Sequence, residues 1–109
     1  MVTFDKLRSL ALRFPETSER LCWETPTFYV RKKLFARLLE DGVSLAIKTT
    51  DLERMALCQL EPETFSVPPH YANYPMFVIQ LRTIEVDELE RLLDIAWRLV
   101  APKKLLATL

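Results

Sequence analysis

Apolar side chains recur at helical spacing in three stretches of the chain. Phe4, Leu7, Leu10, Ala11 and Phe14 share one face behind Thr3, whose hydroxyl suits an N-cap. Pro15 ends this helix, because the residue before a proline is pushed out of the α region. A second, shorter helix is predicted from Thr50, with Glu53 completing a capping box and Leu52, Met55, Ala56 and Leu60 as its apolar stripe before Pro62. The third pattern is the strongest: Asp87 as cap, then Leu89, Leu92, Leu93, Ala96, Trp97 and Val100 on one face, stopped by Pro102.

Between the first two helices the period changes to two. Thr27 to Val30, Leu34 to Glu40 and Val43 to Lys48 read as strands, the last two joined by Asp41-Gly42. Asp-Gly between alternating residues predicts a two-residue type I′ turn, and that turn sets the register. Glu40 then faces Val43, Leu38 faces Leu45 and Ala36 faces Ile47 on the better core side. Leu39, Arg37 and Phe35 face Ser44, Ala46 and Lys48 on the other. After the second helix, Phe65 to Val67 is a short strand candidate. A proline-bounded loop follows from Pro68 to Pro75, and Met76 to Arg82 alternates with Phe77, Ile79 and Leu81 inward. The resulting order, α-β-β-β-α-β-β-α, with short connections, predicts an α+β two-layer sandwich. Helices cover one face of an antiparallel sheet and the other face stays open.

The chain has 109 residues, half of them apolar, which is the size and balance of one domain with one core. Fifteen basic residues cancel fifteen acidic ones, so no overall field draws the protein to nucleic acid or to an anionic membrane, and any such partner must meet a local patch. The halves differ in sign: residues 1–50 hold nine basic and six acidic side chains, and the remainder six basic and nine acidic. Cys22 and Cys58 stand apart with no CxxC, and no signal peptide or spanning segment is visible, so free thiols and a bacterial cytoplasm are expected.

Candidate chemistry is sparse. With Gly42 as the only glycine, no phosphate-cradling loop exists, and GxSxG and HExxH are absent. His70 is the only histidine and no paired thiol accompanies it, so no metal and no cofactor are expected. The carboxylates Glu85, Asp87, Glu88 and Glu90 cluster at a helix start, where the dipole favours them. What stands out is a basic turn, Arg31-Lys32-Lys33, with Arg37 and Lys48 beside Phe35 on the less apolar sheet face. Cations position phosphates and an exposed ring stacks on a base, so this set is a candidate nucleic-acid surface; a solvated turn explains the same charges. His70 and Tyr71, in a loop crowded with prolines and tyrosines, suit either a ligand contact or the fixing of the loop's own path.

Trp23-Glu24-Thr25-Pro26-Thr27-Phe28, Leu34-Phe35-Ala36-Arg37-Leu38, Pro69-His70-Tyr71 with Tyr74-Pro75, and Ala96-Trp97-Arg98 with Ala101-Pro102-Lys103 are landmarks spread over nearly the whole chain. In these the chain resembles the MmcQ/YjbR family of small bacterial proteins. The resemblance implies the same two-layer α+β order, similar to secretion chaperones, and DNA binding through two β-hairpin wings. Here the wings would be the Arg31-Lys32-Lys33 turn and the Pro68–Pro75 loop, which makes Arg31, Lys32, Lys33, Arg37, Lys48, His70 and Tyr71 the expected contacts. Departures from the family pattern are Glu24, where glycine commonly follows the tryptophan, and Ala72 and Asn73 in the second wing. DNA is therefore one expected partner. A protein partner or a second copy of the chain, met through the open sheet face or a helix surface, is the other.

Overall fold

In the computed structural model, which describes residues 1–108, helices form where the apolar spacing places them. Helix α1 (Phe4–Ala11) is capped by the Thr3 hydroxyl, which accepts from the Lys6 N–H at 3.2 Å. Helix α2 (Asp51–Leu60) is capped in the same way by Thr50 on the Glu53 N–H, also at 3.2 Å. The capping box is only half made. The Glu53 carboxylate turns away from Thr50 to take both Arg91 nitrogens, at 2.6 and 3.1 Å. Helix α3 (Val86–Val100) buries Leu89, Leu92, Leu93, Ala96 and Trp97 as expected, but its N-cap is Glu85 rather than Asp87, which lies inside the first turn. After Pro102 a last turn, α4 (Lys103–Leu106), closes the described chain.

The sheet has six strands: β1 (Thr17–Cys22), β2 (Thr25–Val30), β3 (Lys33–Leu38), β4 (Ser44–Lys48), β5 (Phe65–Ser66) and β6 (Met76–Gln80). They lie in the order β1-β2-β3-β4-β6-β5 with every pair antiparallel, an α+β architecture. Strand β1, which the apolar pattern does not announce, is an edge strand of sequence TSERLC in which no residue is fully buried. A strand with little to bury shows no alternation. It is held by pairing to β2 and by a two-point ion pair between Glu19 and Arg8 of α1, at 2.7 and 3.0 Å.

The β3–β4 register is the expected one, with Leu38 opposite Leu45 and Ala36 opposite Ile47. The turn is not. Gly42 alone has positive φ (+75°), and the loop closes through Leu39, whose carbonyl accepts from the Gly42 N–H at 3.0 Å. Glu40 and Val43 drop out of the ladder because the Asp41 carboxylate accepts from the Val43 and Ser44 N–H groups and the Ser44 hydroxyl, at 2.9, 2.8 and 2.6 Å. Burial opposes the Asp41 charge, and these three donors outweigh it and hold its pKa below the ordinary carboxylate value.

A second departure matters more. The β2–β3 ladder shifts register at Phe28/Tyr29, so that Tyr29 pairs with Leu34 and Phe28 with Ala36, leaving Phe35 as an extra residue. This bulge turns Phe35 and Ala36 to the same side, and Phe35, expected beside Lys48 on the open face, is fully buried in the core. The main core lies between the sheet and α1 and α3, centred on Trp97, whose Nε1–H donates to the Pro15 carbonyl at 3.0 Å and whose ring stacks on Phe14. On the opposite face a small apolar cluster of Ala46, Met76 and Val78 carries Leu34, Leu39 and Tyr71 around it.

Helix α2 reverses its expected orientation. Leu52, Met55 and Leu60 are 73 to 78% exposed, and Leu57, with Cys58 beside it, packs on the core. The helix is oriented by its charges. Glu53 ties it to α3 through Arg91, and Arg54 points to the loop before β6. No helix among the described residues is long and apolar enough to cross a membrane.

Candidate nucleic-acid interface

The antiparallel registers bring three segments to one end of the sheet: the β2–β3 turn between Val30 and Lys33, the end of β4 at Lys48, and the start of β6 at Met76 with the loop before it. At the other end of β2 the β1–β2 hairpin turns at Trp23-Glu24, tied to β3 where Arg37 Nε–H donates to the Cys22 carbonyl at 3.3 Å. Between them, on the sheet face that carries the Ala46, Met76 and Val78 cluster, lies a cleft of about 430 Å³, which Val100 at the end of α3 also lines. Of the residues expected from sequence, Lys33, Arg37, Lys48, His70 and Tyr71 line it, together with Trp23, Tyr74, Cys22, Leu34 and Met76.

The cations in this set are not equivalent. Arg37 is buried, and its guanidinium donates to Glu40 at 2.6 Å; burial works against its charge, and the Glu40 carboxylate together with Tyr71 outweighs burial and pushes its pKa up. Arg31, at the β2–β3 turn, makes a two-point pair with Glu16 at 2.6 and 3.2 Å. That pair pushes the arginine's pKa up and holds the Glu16 carboxyl below its ordinary value. Both guanidiniums are thus occupied within the chain. Among the described residues Lys32, Lys33 and Lys48 have no carboxylate partner within 4.0 Å. Lys32 does not line the cleft itself but an adjoining groove that shares Lys33 and Val100 with it.

The second wall is the 68–75 segment, a single 3₁₀ turn at Pro69–Tyr71 followed by further turns. Tyr71 seats it on the small cluster at Ala46, Met76 and Val78, and the exposed His70 ring meets Tyr71 edge to face at 4.8 Å. Its path is set by Arg54, which no periodicity or motif in the sequence singles out. From α2, this side chain donates to the carbonyls of Tyr71, Ala72, Tyr74 and Met76 at 2.8 to 3.5 Å. It is the only basic residue of a ten-residue helix facing a proline-rich loop, which was the available signal.

Trp23 is the other omission. The residue is 82% exposed, and its φ is +53° with Glu24 at +67°, so both central residues of this two-residue turn sit in the left-handed region. That is the requirement of a type I′ turn, which Asn-Gly meets without strain and Trp-Glu does not. Arg31 (φ +56°) is strained in the same way at the next hairpin, but there Glu16 compensates with its ion pair. Nothing of that kind holds Trp23. A large ring placed in water at a strained position is a cost to the fold, and such costs gather where a partner is met.

The YjbR family model matches residues 12–99. Two of the similar curated proteins are the uncharacterized proteins Rv2570 of Mycobacterium tuberculosis and Mb2600 of Mycobacterium bovis. Each is 28% identical over 120 residues, covering 96% of this chain and 93% of the relative. The crystal structure of Deinococcus radiodurans protein DR2400, a DUF419 domain, superposes with a TM-score of 0.78 at 27% identity, over 95% of this chain and 82% of that one. The matched span takes in all six strands, both walls of the cleft and nearly all of α3: this chain belongs to the YjbR family.

Proposed function

We propose that the cleft binds nucleic acid, with phosphates on Lys33 and Lys48, Lys32 at the rim, and the rings of Trp23, His70 and Tyr71 against bases. The observation that carries this reading is the meeting of unpaired lysines with exposed aromatic rings in one concavity of a protein whose net charge is zero. Lysines alone would be a solvated surface and rings alone an apolar patch. Together they match the two contacts that nucleic-acid binders combine, cations on the backbone and π faces on the bases. Arg31 and Arg37 enter this reading as residues that hold the two hairpins rather than as phosphate ligands.

Fluorescence anisotropy of a labelled oligonucleotide tests it. Three lysines on phosphates give a salt slope of about −2 to −2.7, so that affinity falls roughly 20- to 40-fold between about 50 and 200 mM salt. Absence of binding at the lower salt contradicts the reading.

A second reading rests on a different observation, the exposed stripe of Leu52, Met55 and Leu60 on α2, which suits a protein partner or a second copy of the chain. Strictly monomeric sedimentation at high concentration would remove the second-copy form of it.

A further inference from the structure

Building on the nucleic-acid reading, we infer that the ligand is single-stranded, with an unpaired base stacked on Trp23 while Lys33 and Lys48 hold flanking phosphates. In a duplex the faces of each base are covered by its neighbours, and only base edges are offered in the grooves. An indole raised from a hairpin turn, on a residue 82% exposed, presents a π face, and only a base out of the stack has a π face to meet it.

The shape of the site agrees. Reading a duplex in the major groove needs a protruding helix or two-stranded ribbon that enters a space about 12 Å wide. Here the basic and aromatic residues line a hollow, whose floor includes Leu34 and Arg37 of β3 and Lys48 of β4. Its volume of about 430 Å³ falls in the range of sites that enclose a small ligand, roughly 300–1,000 Å³. One nucleotide is an object of that class and a double helix is not.

Charge supports the same conclusion. A duplex binder that relies on the backbone can make about 6–10 phosphate contacts, and its affinity comes largely from them. With Arg31 committed to Glu16 and Arg37 to Glu40, the cations around this cleft without a carboxylate partner among the described residues are Lys32, Lys33 and Lys48. So few phosphate contacts need a second source of affinity, and stacking supplies it.

Tryptophan fluorescence provides the test, because the chain has two tryptophans in opposite environments. Trp97 is 1% exposed in the core and Trp23 is in the solvent, so quenching by an added strand reports on Trp23. A short oligothymidylate is expected to quench the emission and to bind at least tenfold more tightly than a blunt mixed-sequence duplex at the same salt. Trp23→Leu is expected to abolish the quenching and weaken binding about 5- to 150-fold, the range one base on an aromatic ring supplies, while Trp23→Phe, which keeps a π face, stays within about threefold of wild type. Duplex binding as tight as strand binding, or strand binding indifferent to Trp23→Leu, overturns the inference and leaves the nucleic-acid reading standing. Binding of neither probe overturns both.

Discussion

The double variant Lys33→Glu/Lys48→Glu is expected to lose nucleic-acid binding by at least 100-fold with its fold intact. Each lysine lies on the cleft, and neither has a carboxylate partner among the described residues whose loss would disturb the chain. Hydrogen bonds to charged groups are worth about 1.5–3 kcal/mol each, so two lost phosphate contacts remove roughly 3 kcal/mol or more, and the new carboxylates add repulsion. Substitution of exposed Lys33 moves stability by only about ±0.5 kcal/mol, and half-buried Lys48, the last residue of β4, has no ion pair among the described residues to lose. The thermal midpoint should therefore stay near that of the wild type while anisotropy shows no saturation. Equivalent reversal of Arg31 would be a poorer experiment, since it breaks the pair with Glu16 and confounds binding with folding.

Replacing the strained turn, Trp23→Asn with Glu24→Gly, should stabilise the protein and cost it its ligand. Left-handed backbone costs an ordinary L-residue about 1–2 kcal/mol, and Asn-Gly adopts it with little penalty, so a gain of about 1–3 kcal/mol is expected in chemical denaturation. Glu24→Gly alone should capture part of that gain and leave binding unchanged, because the indole stays. This separates the two roles of the turn. If the Asn-Gly variant gained no stability, the strain assigned to Trp23 and Glu24 would be wrong. If it bound as well as the wild type, Trp23 would have no part in the site.

Where apolar spacing and burial coincide, the sequence could be read directly. The stripe from Leu89 to Val100 became α3, and the pairing of Leu38 with Leu45 and Ala36 with Ile47 followed from position in the hairpin. What escaped was set by interactions that periodicity does not carry. Strand β1 is polar because it lies at an edge; Phe35 left the open face because one extra residue entered the β2–β3 ladder. Helix α2 shows the limit most clearly. Its apolar residues predicted a buried stripe, yet the ion pair of Glu53 with Arg91 and the four carbonyls gathered by Arg54 turned that stripe to solvent.

The candidate site was legible in part for the same reason. A run of basic residues and a tyrosine-rich loop are local features, so Lys33, Lys48, His70 and Tyr71 could be named from sequence and do line one cleft. Which cations are unpaired depends on partners far along the chain: Glu16 lies fifteen residues from Arg31. Trp23 stood in the family landmark, but its value as an exposed ring depends on a backbone angle, and the only hint of that angle was a Trp-Glu dipeptide where glycine is common.

The most direct test of the cleft is a map of backbone amide shifts by NMR as a short oligonucleotide is added. The account predicts that the perturbed amides cluster at Cys22 to Glu24, at Lys32 and Lys33, at Lys48 and along His70 to Tyr74, with the α2 stripe unmoved. Shifts gathered on Leu52, Met55 and Leu60, or scattered with no focus on the cleft, would contradict it.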